Sequence, residues 1–362
     1  MAIPNTFTFK ASDVCAELNI DGIGGGTPTA SINCFLDIAP EVTYCSAYSG
    51  TTSCLRNFRG YNLQTSYTFT RNEVMQNEMI YNPVTESMWT GFGQSTPVLA
   101  EICNDGTVVE HTITCGAQYL ALDGSCNIWY TSGFYKRGAR LNVSTCNEEC
   151  IFTGLAGCPV GIIFDGTQFW TPNFCVQDTA QRCCYSTIST AGVVTNHSCN
   201  CLCFPRDMVY DGMNIWVTEL GGQGIYKIDP STCVFTCVAT LSFSPYKLVF
   251  DGTDIWGLGT NSSYIYKVTT GGTVTCYTDP AGSNSSVRNM IVSSHPTKPT
   301  YVWIDGTNLD CIKYRIDPSN GCWWGIVSPD ERNVNTAMAY NCDTYYLWSV
   351  QSLSCIYKLG VY

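Results

Sequence analysis

The sequence has 362 residues, which is long enough for one large domain or two smaller ones. Charged residues make up only 13% of it, and 18 basic against 29 acidic residues give a formal net charge of −11, so no basic stripe is present to bind a duplex nucleic acid. No apolar run reaches the roughly 18 residues that a membrane-spanning helix needs, and we expect no membrane insertion.

Cysteine is unusually abundant, with 23 residues. Secreted proteins use many cysteines as disulfides, whereas cytosolic proteins rarely carry so many outside metal clusters. The opening residues MAIPNTFTFK, however, have neither the charged start nor the apolar centre of a secretory signal. A particle that is assembled inside a cell and later released would satisfy both observations.

Residues 1–62 contain no copy of the repeat that fills the rest of the chain, and we predict that they form a small α+β N-terminal domain. Phe7–Phe9 is a short apolar segment typical of a strand. Ser12 or Asp13 can cap a helix that follows it.

Two segments of this region, IPNTFTFKASDVCAELN and SCLRNFRGY, resemble the N-terminal domain of tail, fibre and other virion proteins of bacteriophages. The resemblance implies that residues 1–62 attach a variable distal domain to other virion proteins. It also implies that Phe7, Phe9, Val14 and Leu18 pack this domain and that Leu55–Tyr61 fix its end. Four cysteines are not part of that pattern: Cys15, Cys34, Cys45 and Cys54.

A sequence repeat extends over residues 63–362. Each copy has a few apolar residues, a turn that is often Asp-Gly, and an apolar stretch with one tryptophan. The tryptophans follow one another at intervals of 40 to 47 residues: Trp89, Trp129, Trp170, Trp216, Trp256, Trp303 and Trp348. A four-stranded propeller blade takes roughly 40–50 residues. The sequence therefore predicts an all-β fold, a seven-bladed β-propeller.

The fourth copy shows the predicted strands of one blade. Strand a is Asp207–Tyr210, strand b is Ile215–Leu220, strand c is Ile225–Ile228 and strand d is Cys233–Leu241. The Asp-Gly pair between strands a and b is a turn former, so we interpret its aspartate as a turn residue and not as a catalytic acid. We expect the tryptophans to fill the space between neighbouring blades.

The last copy ends with its strand c and has no strand d of its own. Leu63–Asn72, just before the first copy, alternates as an outer strand should. We predict that this segment pairs with Ile356–Leu359 and closes the ring, which removes an exposed sheet edge.

The phrases IIFDGTQFWT and LVFDGTDIWGL resemble blades of the streptogramin lyase-like propellers, a group that includes enzymes and proteins of no known activity. That resemblance concerns the fold and not a site. It implies a histidine-centred site in the channel for the enzymes. We place His111 and His197 in outer strands or loops and His295 in an inserted a–b loop, and we expect neither enzymatic activity nor a cofactor.

Cysteines suggest two further hypotheses. His197, Cys199, Cys201 and Cys203 could supply soft ligands to zinc or copper(I), but disulfide or free-thiol packing is the simpler interpretation of this segment. Other cysteines recur at equivalent blade positions, which suggests disulfides within or between blades. Cys146, Cys233 and Cys322 follow the c–d turn, Cys311 and Cys355 open strand c, and Cys158 and Cys203 precede a strand a.

The leading functional hypothesis is a bacteriophage virion protein, a tail or capsid appendage or fibre present in multiple copies on the extracellular particle. Its propeller would bind a host-surface glycan or serve as a rigid structural element. Aromatic connections such as Tyr130–Tyr135 and Asn261–Tyr264 suit sugar stacking, although solvated loops are the simpler interpretation of each. A secreted bacterial adhesin or lectin-like propeller is the alternative, and a propeller lyase is the third hypothesis.

Overall fold

The computed structural model describes residues 65–68, 75–92, 97–174, 183–198, 204–260, 264–278, 289–295, 298–305, 312–327, 335–342, 346–351 and 355–360. The N-terminal domain predicted at residues 1–62 lies outside the described residues. Within these ranges the secondary structure consists of β-strands, and no helix there is long and apolar enough to cross a bilayer.

The strands of the described ranges form seven sheets, numbered here along the chain. Sheet 1 contains β2 (Met75–Asn82), β3 (Ser87–Phe92), β4 (Val98–Ile102) and β5 (Val108–Thr112). Sheet 2 contains β6 (Tyr119–Leu122), β7 (Ile128–Ser132), β8 (Arg137–Asn142) and β9 (Asn147–Thr153). Sheet 3 contains β10 (Cys158–Pro159), β11 (Ile163–Phe164), β12 (Gln168–Phe174), β13 (Cys183–Ser189) and β14 (Val194–Ser198).

The next two sheets are the most regular. Sheet 4 contains β15 (Pro205–Tyr210), β16 (Ile215–Glu219), β17 (Gly224–Ile228) and β18 (Phe235–Thr240). Sheet 5 contains β19 (Pro245–Phe250), β20 (Ile255–Gly259), β21 (Tyr264–Val268) and β22 (Val274–Thr278).

Two sheets complete the ring. Sheet 6 contains β23 (Asn289–His295), β24 (Lys298–Asp305), β25 (Ile312–Ile316) and β26 (Trp323–Val327). Sheet 7 contains β27 (Asn335–Asn341), β28 (Tyr346–Gln351), β29 (Cys355–Gly360) and β1 (Thr65–Thr68).

The sheets stand side by side in a closed circle. The first strand of each sheet contacts the first strand of the next, from β2 to β6, β11, β15, β19, β23 and β27, and β27 contacts β2 again. The strands pair antiparallel throughout, and they pair with their sequence neighbours except that β10 pairs with β12 and β1 pairs with β29. This arrangement is an all-β β-propeller.

The segment predicted to close the ring does so in the structure. Thr65–Thr68, within Leu63–Asn72, pairs antiparallel with β29, and Tyr67 lies opposite Ile356. The chain's last strands leave sheet 7 with an unpaired edge, and β1 fills it.

Each repeat tryptophan lies in the second strand of its sheet. The side chains that the structure describes are fully buried: Trp89, Trp129, Trp170, Trp216, Trp256 and Trp303. The side chain of Trp348 lies outside the described residues. Each of these indoles packs in the apolar cluster between two neighbouring sheets. These clusters form the apolar core of the propeller.

The aspartate of the first turn also holds the tryptophan, a role that the sequence pattern did not suggest. In sheet 4, Asp211 Oδ1 accepts hydrogen bonds from the Met213 and Asn214 N–H groups, at 2.8 and 2.6 Å, and Oδ2 accepts one from Trp216 Nε1 at 2.6 Å. The same indole contact is made in three other sheets: from Trp129 to Asp123, from Trp170 to Asp165 and from Trp256 to Asp251.

Burial by itself raises the pKa of the Asp123 and Asp165 carboxyls, but the hydrogen bonds that they accept outweigh it, so the net pKa is lowered. Both carboxylates stay ionised and serve as acceptors. Asp123 and Asp165 thereby satisfy the buried indole N–H groups of sheets 2 and 3.

Two sheets depart from the regular pattern. In sheet 3, Pro172 of β12 has no N–H to donate to the first strand, which is split into β10 and β11. In sheet 6, the prediction of an inserted a–b loop around His295 is wrong. The inserted residues extend β23 and β24, whose pairing continues beyond a β-bulge after Ser293. His295 is the last residue of β23 and lies opposite Lys298.

The hypothesis that cysteines at equivalent positions staple the blades is wrong for three of them. Cys146, Cys158 and Cys233 carry free thiols. Cys146 and Cys233 occupy equivalent, exposed c–d turns in sheets 2 and 4. Because these sheets are not neighbours, the two sulfurs cannot meet. Cys322, by contrast, is disulfide-bonded.

Candidate functional site

The first strands surround the axis of the propeller, so their side chains from distant sheets come close together. In every sheet, one residue of the first strand lies opposite the repeat tryptophan. The residue two places before that one occupies the same position in all seven sheets. We call these seven residues the inner layer. They hold Glu78, Tyr119, Gly161, Asp207, Lys247, Asn289 and Ala337.

The three charged residues of the inner layer meet. Lys247 Nζ lies 3.2 Å from Glu78 Oε1 and 3.4 Å from Asp207 Oδ2. Lys247 and Asp207 belong to adjacent sheets, whereas Glu78 belongs to sheet 1 on another part of the ring. The contact from sheet 5 to sheet 1 therefore joins two sheets that do not pack against each other.

Backbone groups of neighbouring sheets fix both carboxylates. Leu120 N–H donates to Glu78 Oε2 at 2.9 Å, and Leu248 N–H donates to Asp207 Oδ2 at 2.8 Å. The exposed fractions of the Glu78, Asp207 and Lys247 side chains are 19%, 9% and 21%. The cluster is thus largely shielded from water and held in one geometry.

Burial determines the acid–base behaviour of the cluster. It raises the pKa of the Glu78 and Asp207 carboxyls, although the nearby Lys247 opposes this shift. Burial lowers the pKa of the Lys247 ammonium, but Asp207 and Glu78 outweigh it and the net pKa is raised. Lys247 therefore stays charged.

The two faces of the ring follow from the strand order. Because successive strands run antiparallel, first strands begin, and second strands end, on one face, which we call the front face. The a–b and c–d turns lie on the opposite face, which we call the back face. Asp211 is therefore on the back face, and the start of β15 is on the front face.

Arg206 lies at the start of β15 on the front face, one residue before Asp207. Its Nη2 donates a hydrogen bond to the Tyr246 hydroxyl at 2.8 Å, and its guanidinium carbon lies 4.6 Å from the centre of the Tyr246 ring. The centre of the Phe174 ring lies 5.8 Å from the same carbon. Phe204 contacts Phe174 with ring centres 5.7 Å apart. Sheets 3, 4 and 5 thus build one aromatic cluster around a partly exposed cation.

Exposed aromatic rings are confined to the front face among the described residues. Phe134 and Tyr135, in the turn between β7 and β8, are 64% and 50% exposed; Phe204 is 50% exposed and Tyr264 is 46% exposed. The exposed apolar residues of the back-face turns are aliphatic: Val84, Val193, Met213 and Val234. Rings on one face are typical of a surface that stacks against a ligand.

The two aromatic connections singled out from the sequence contribute only in part. Tyr130 lies within β7 and is fully buried, and its hydroxyl donates to Glu148, so it cannot bind a sugar. Phe134 and Tyr135 remain as exposed residues of that connection. Residues 261–263 lie outside the described residues.

The two histidines with described side chains lie in outer strands, as predicted. His111 in β5 stacks on Trp89 with ring centres 5.0 Å apart. His197 in β14 stacks on Tyr185 at 4.5 Å, and its Nε2 lies 3.0 Å from Thr187 Oγ1. Both rings pack against the outer part of their sheets.

The metal hypothesis remains a prediction. Cys199, Cys201 and Cys203 lie outside the described residues. Among the residues that the structure does describe, no group of three or more His, Cys, Asp or Glu side chains could hold a metal ion.

Sequence reasoning missed the inner layer and Arg206. A signal was present, since Glu78, Asp207 and Lys247 each precede the first-turn Asn or Asp by four residues. Aligning the copies on their turns places these charges in one ring. The alignment does not say which of them meet.

No protein-family model and no curated protein matches this sequence. Several solved structures are similar to this chain in fold. Virginiamycin B lyase from Staphylococcus aureus is 14% identical with a TM-score of 0.69, over 83% of this chain and 99% of that chain. A streptogramin B lyase structure is 14% identical with a TM-score of 0.67, over 83% and 98%. The Cps50 (Swd1) β-propeller domain of Myceliophteria thermophila is 10% identical with a TM-score of 0.64, over 82% and 100%. These likenesses establish the β-propeller fold, and they include streptogramin lyase-like propellers.

Proposed function

We propose that this chain is a bacteriophage virion appendage protein that displays a seven-bladed propeller and binds a host-surface glycan through its front face. Residues 1–62 would attach several copies of it to other virion proteins. The observation that carries the binding role is that the exposed rings Phe134, Tyr135, Phe204 and Tyr264 share the front face. Sugar rings stack on such aromatic faces through their C–H groups.

The direction of β1 supports this division of roles. Thr65 pairs with Lys358 and Thr68 with Cys355, so β1 runs from the back face to the front face. Thr65, the first residue of β1, therefore lies at the back face. An attachment at that end would leave the exposed rings directed away from the particle.

Purified particles test the virion assignment. Mass spectrometry of gradient-purified particles should detect the chain, and gold-labelled antibody against the propeller should decorate the particle surface in electron micrographs. Finding the chain only in the secreted, particle-free fraction of a bacterial culture would support the adhesin or lectin-like alternative instead.

Substitutions on the two faces test the glycan role. Phe134→Ser and Tyr135→Ser should each reduce binding of the full chain to host cells and to glycan arrays. Val193→Ser and Met213→Ser, on the back face, are the matched controls and should leave binding unchanged. Equal effects on both faces would contradict the proposal.

A lyase is the second candidate, because the propellers of similar structure include virginiamycin B lyase and because charged groups meet in the inner layer. We propose that the chain has no such activity. Incubation of the full chain with virginiamycin B should leave the mass and retention time of the compound unchanged. Conversion that is lost in Glu78→Gln would establish the lyase instead.

A further inference from the structure

We infer that Arg206 is a subsite for the carboxylate of an acidic sugar, so that the glycan bound at the front face is an anionic one. This inference rests on the proposed function and specifies its ligand class. Four observations carry it.

First, Arg206 forms no direct ion pair in the described part of the chain. The ion pairs there join other residues, and none brings a carboxylate oxygen within 4.0 Å of its guanidinium. A ligand carboxylate would give Arg206 the direct ionic partner that these residues do not provide.

Second, the neighbouring carboxylate is already engaged. Asp207 Oδ2 accepts a hydrogen bond from Leu248 N–H at 2.8 Å and lies 3.4 Å from Lys247 Nζ. Lys247 in turn pairs with Glu78 at 3.2 Å. Two carboxylates against one ammonium leave the inner layer with one negative charge, which acts on Arg206 through space but forms no direct ion pair with it.

Third, the guanidinium is held in place. Tyr246 accepts a hydrogen bond from Nη2, and the guanidinium carbon lies 4.6 Å from the centre of the Tyr246 ring and 5.8 Å from that of the Phe174 ring. A guanidinium has five N–H donors in a planar fork that fits a carboxylate with two parallel hydrogen bonds. Fixing the fork in advance reduces the entropy that binding would cost.

Fourth, an exposed ring belongs to the same aromatic cluster. Phe204, which is 50% exposed, contacts Phe174 and stands two residues before Arg206. One sugar could stack on Phe204 while its carboxylate reaches Arg206. A simple anion would use Arg206 alone, whereas an acidic sugar would use both groups.

The experiment compares acidic glycans with their own carboxyl-reduced derivatives, in which the acid has become a primary alcohol. An array would carry uronic-acid and sialic-acid oligosaccharides in both forms, and the full chain would be titrated against each pair by calorimetry. We expect the acidic form to bind about tenfold or more tightly, because a charge-assisted hydrogen-bond pair is lost on reduction. Free glucuronate and sodium sulfate measure binding of the anion alone.

Three variants locate the effect. Arg206→Gln should bind both forms of each glycan equally, and Arg206→Lys should retain part of the preference. Phe204→Ser should weaken both forms by a similar factor. Arg140→Gln is the control, because Arg140 also lies near a ring, that of Trp129, but is paired with Glu149 in outer strands. Thermal unfolding of each variant establishes that it is folded.

The outcomes separate the inference from the proposed function. Equal binding of acidic and reduced glycans by the wild-type chain would overturn the acidic subsite and leave a glycan-binding role. A preference that survives in Arg206→Gln would also overturn the assignment of Arg206. If no glycan of either form binds, both the inference and the glycan-binding role fail.

Discussion

The back and front faces of the ring follow the sequence repeat to different degrees. On the back face, the first turns of sheets 2, 3, 4 and 5 use an aspartate in the same way, to cap the turn and to hold the indole of the repeat tryptophan. On the front face the connections share no such device. They carry Phe134, Tyr135, Phe204 and Tyr264 at positions that are not equivalent to one another.

The difference indicates where this fold tolerates change. A turn that satisfies a buried indole is constrained by packing, so its sequence is repeated. A connection on the front face needs only to join two strands, and its side chains are available for binding. The inner layer combines both properties, because its backbone positions are equivalent while its side chains range from Gly161 to Lys247.

The largest expected effect tests whether the inner layer contributes to the scaffold. Lys247→Met removes the cation between Glu78 and Asp207 and leaves two largely buried carboxylates facing each other. We expect the free energy of unfolding to fall by about 3–5 kcal/mol in urea titrations. Lys136→Met, in an exposed turn, is the control and should change little. A loss below about 1 kcal/mol for Lys247→Met would show that water relieves the charge, as at exposed pairs.

The next effect sharpens the role of the back-face turns. Asp211→Ala deprives Trp216 Nε1 and two turn N–H groups of their acceptor, and we expect a loss of about 1–3 kcal/mol in free energy of unfolding. Asp229→Ala is the comparison, since Asp229 accepts from Ser231 and Thr232 in an exposed c–d turn and holds no indole. If both variants lose the same stability, the indole contact contributes nothing measurable.

A smaller effect concerns the glycine of the same turn. Gly212 has a φ of 92°, a region that alanine rarely adopts, so Gly212→Ala should cost about 1 kcal/mol in urea titrations. Gly271→Ala is the matched control, because a Cβ there would meet its nearest atom at 3.8 Å and Gly271 is not among the positive-φ glycines. The comparison fails if Gly271→Ala costs as much as Gly212→Ala.

The smallest effect is expected on the front face. Phe134→Ser changes a ring that is 64% exposed, so the free energy of unfolding should stay within about 0.5 kcal/mol of the wild-type value. The measurement is the same urea titration, run alongside the binding assay. A loss above about 1 kcal/mol would mean that this ring stabilises the fold, and its binding defect would then have another explanation.

The sequence by itself determined the repeated frame. The strands predicted for the fourth copy differ from β15, β16, β17 and β18 by only a few residues at their ends. The closing role of Thr65–Thr68 followed from counting strands in the last copy. These features depend on local alternation, on turn residues and on tryptophan spacing, which are all properties of nearby residues.

Where the prediction failed, neighbours in space decided. Tyr130 follows Trp129 in a fully buried strand, so it packs between sheets 1 and 2 and not in a loop. His295 continues a strand because a partner, Lys298, lies opposite it across a bulge. Strand pairing and burial are set by the facing segment, and a single-sequence pattern does not reveal which residues that segment will present.

The tertiary structure alone decided the candidate site. Glu78 and Lys247 are separated by 169 residues and belong to sheets that do not adjoin, yet ring closure brings their charges within 3.2 Å. Arg206, Tyr246 and Phe174 come from three successive sheets and meet only because those sheets start side by side on one face. Local sequence specifies each strand and its turn, whereas the side chains that converge at the axis depend on how many sheets the ring contains and on where it closes.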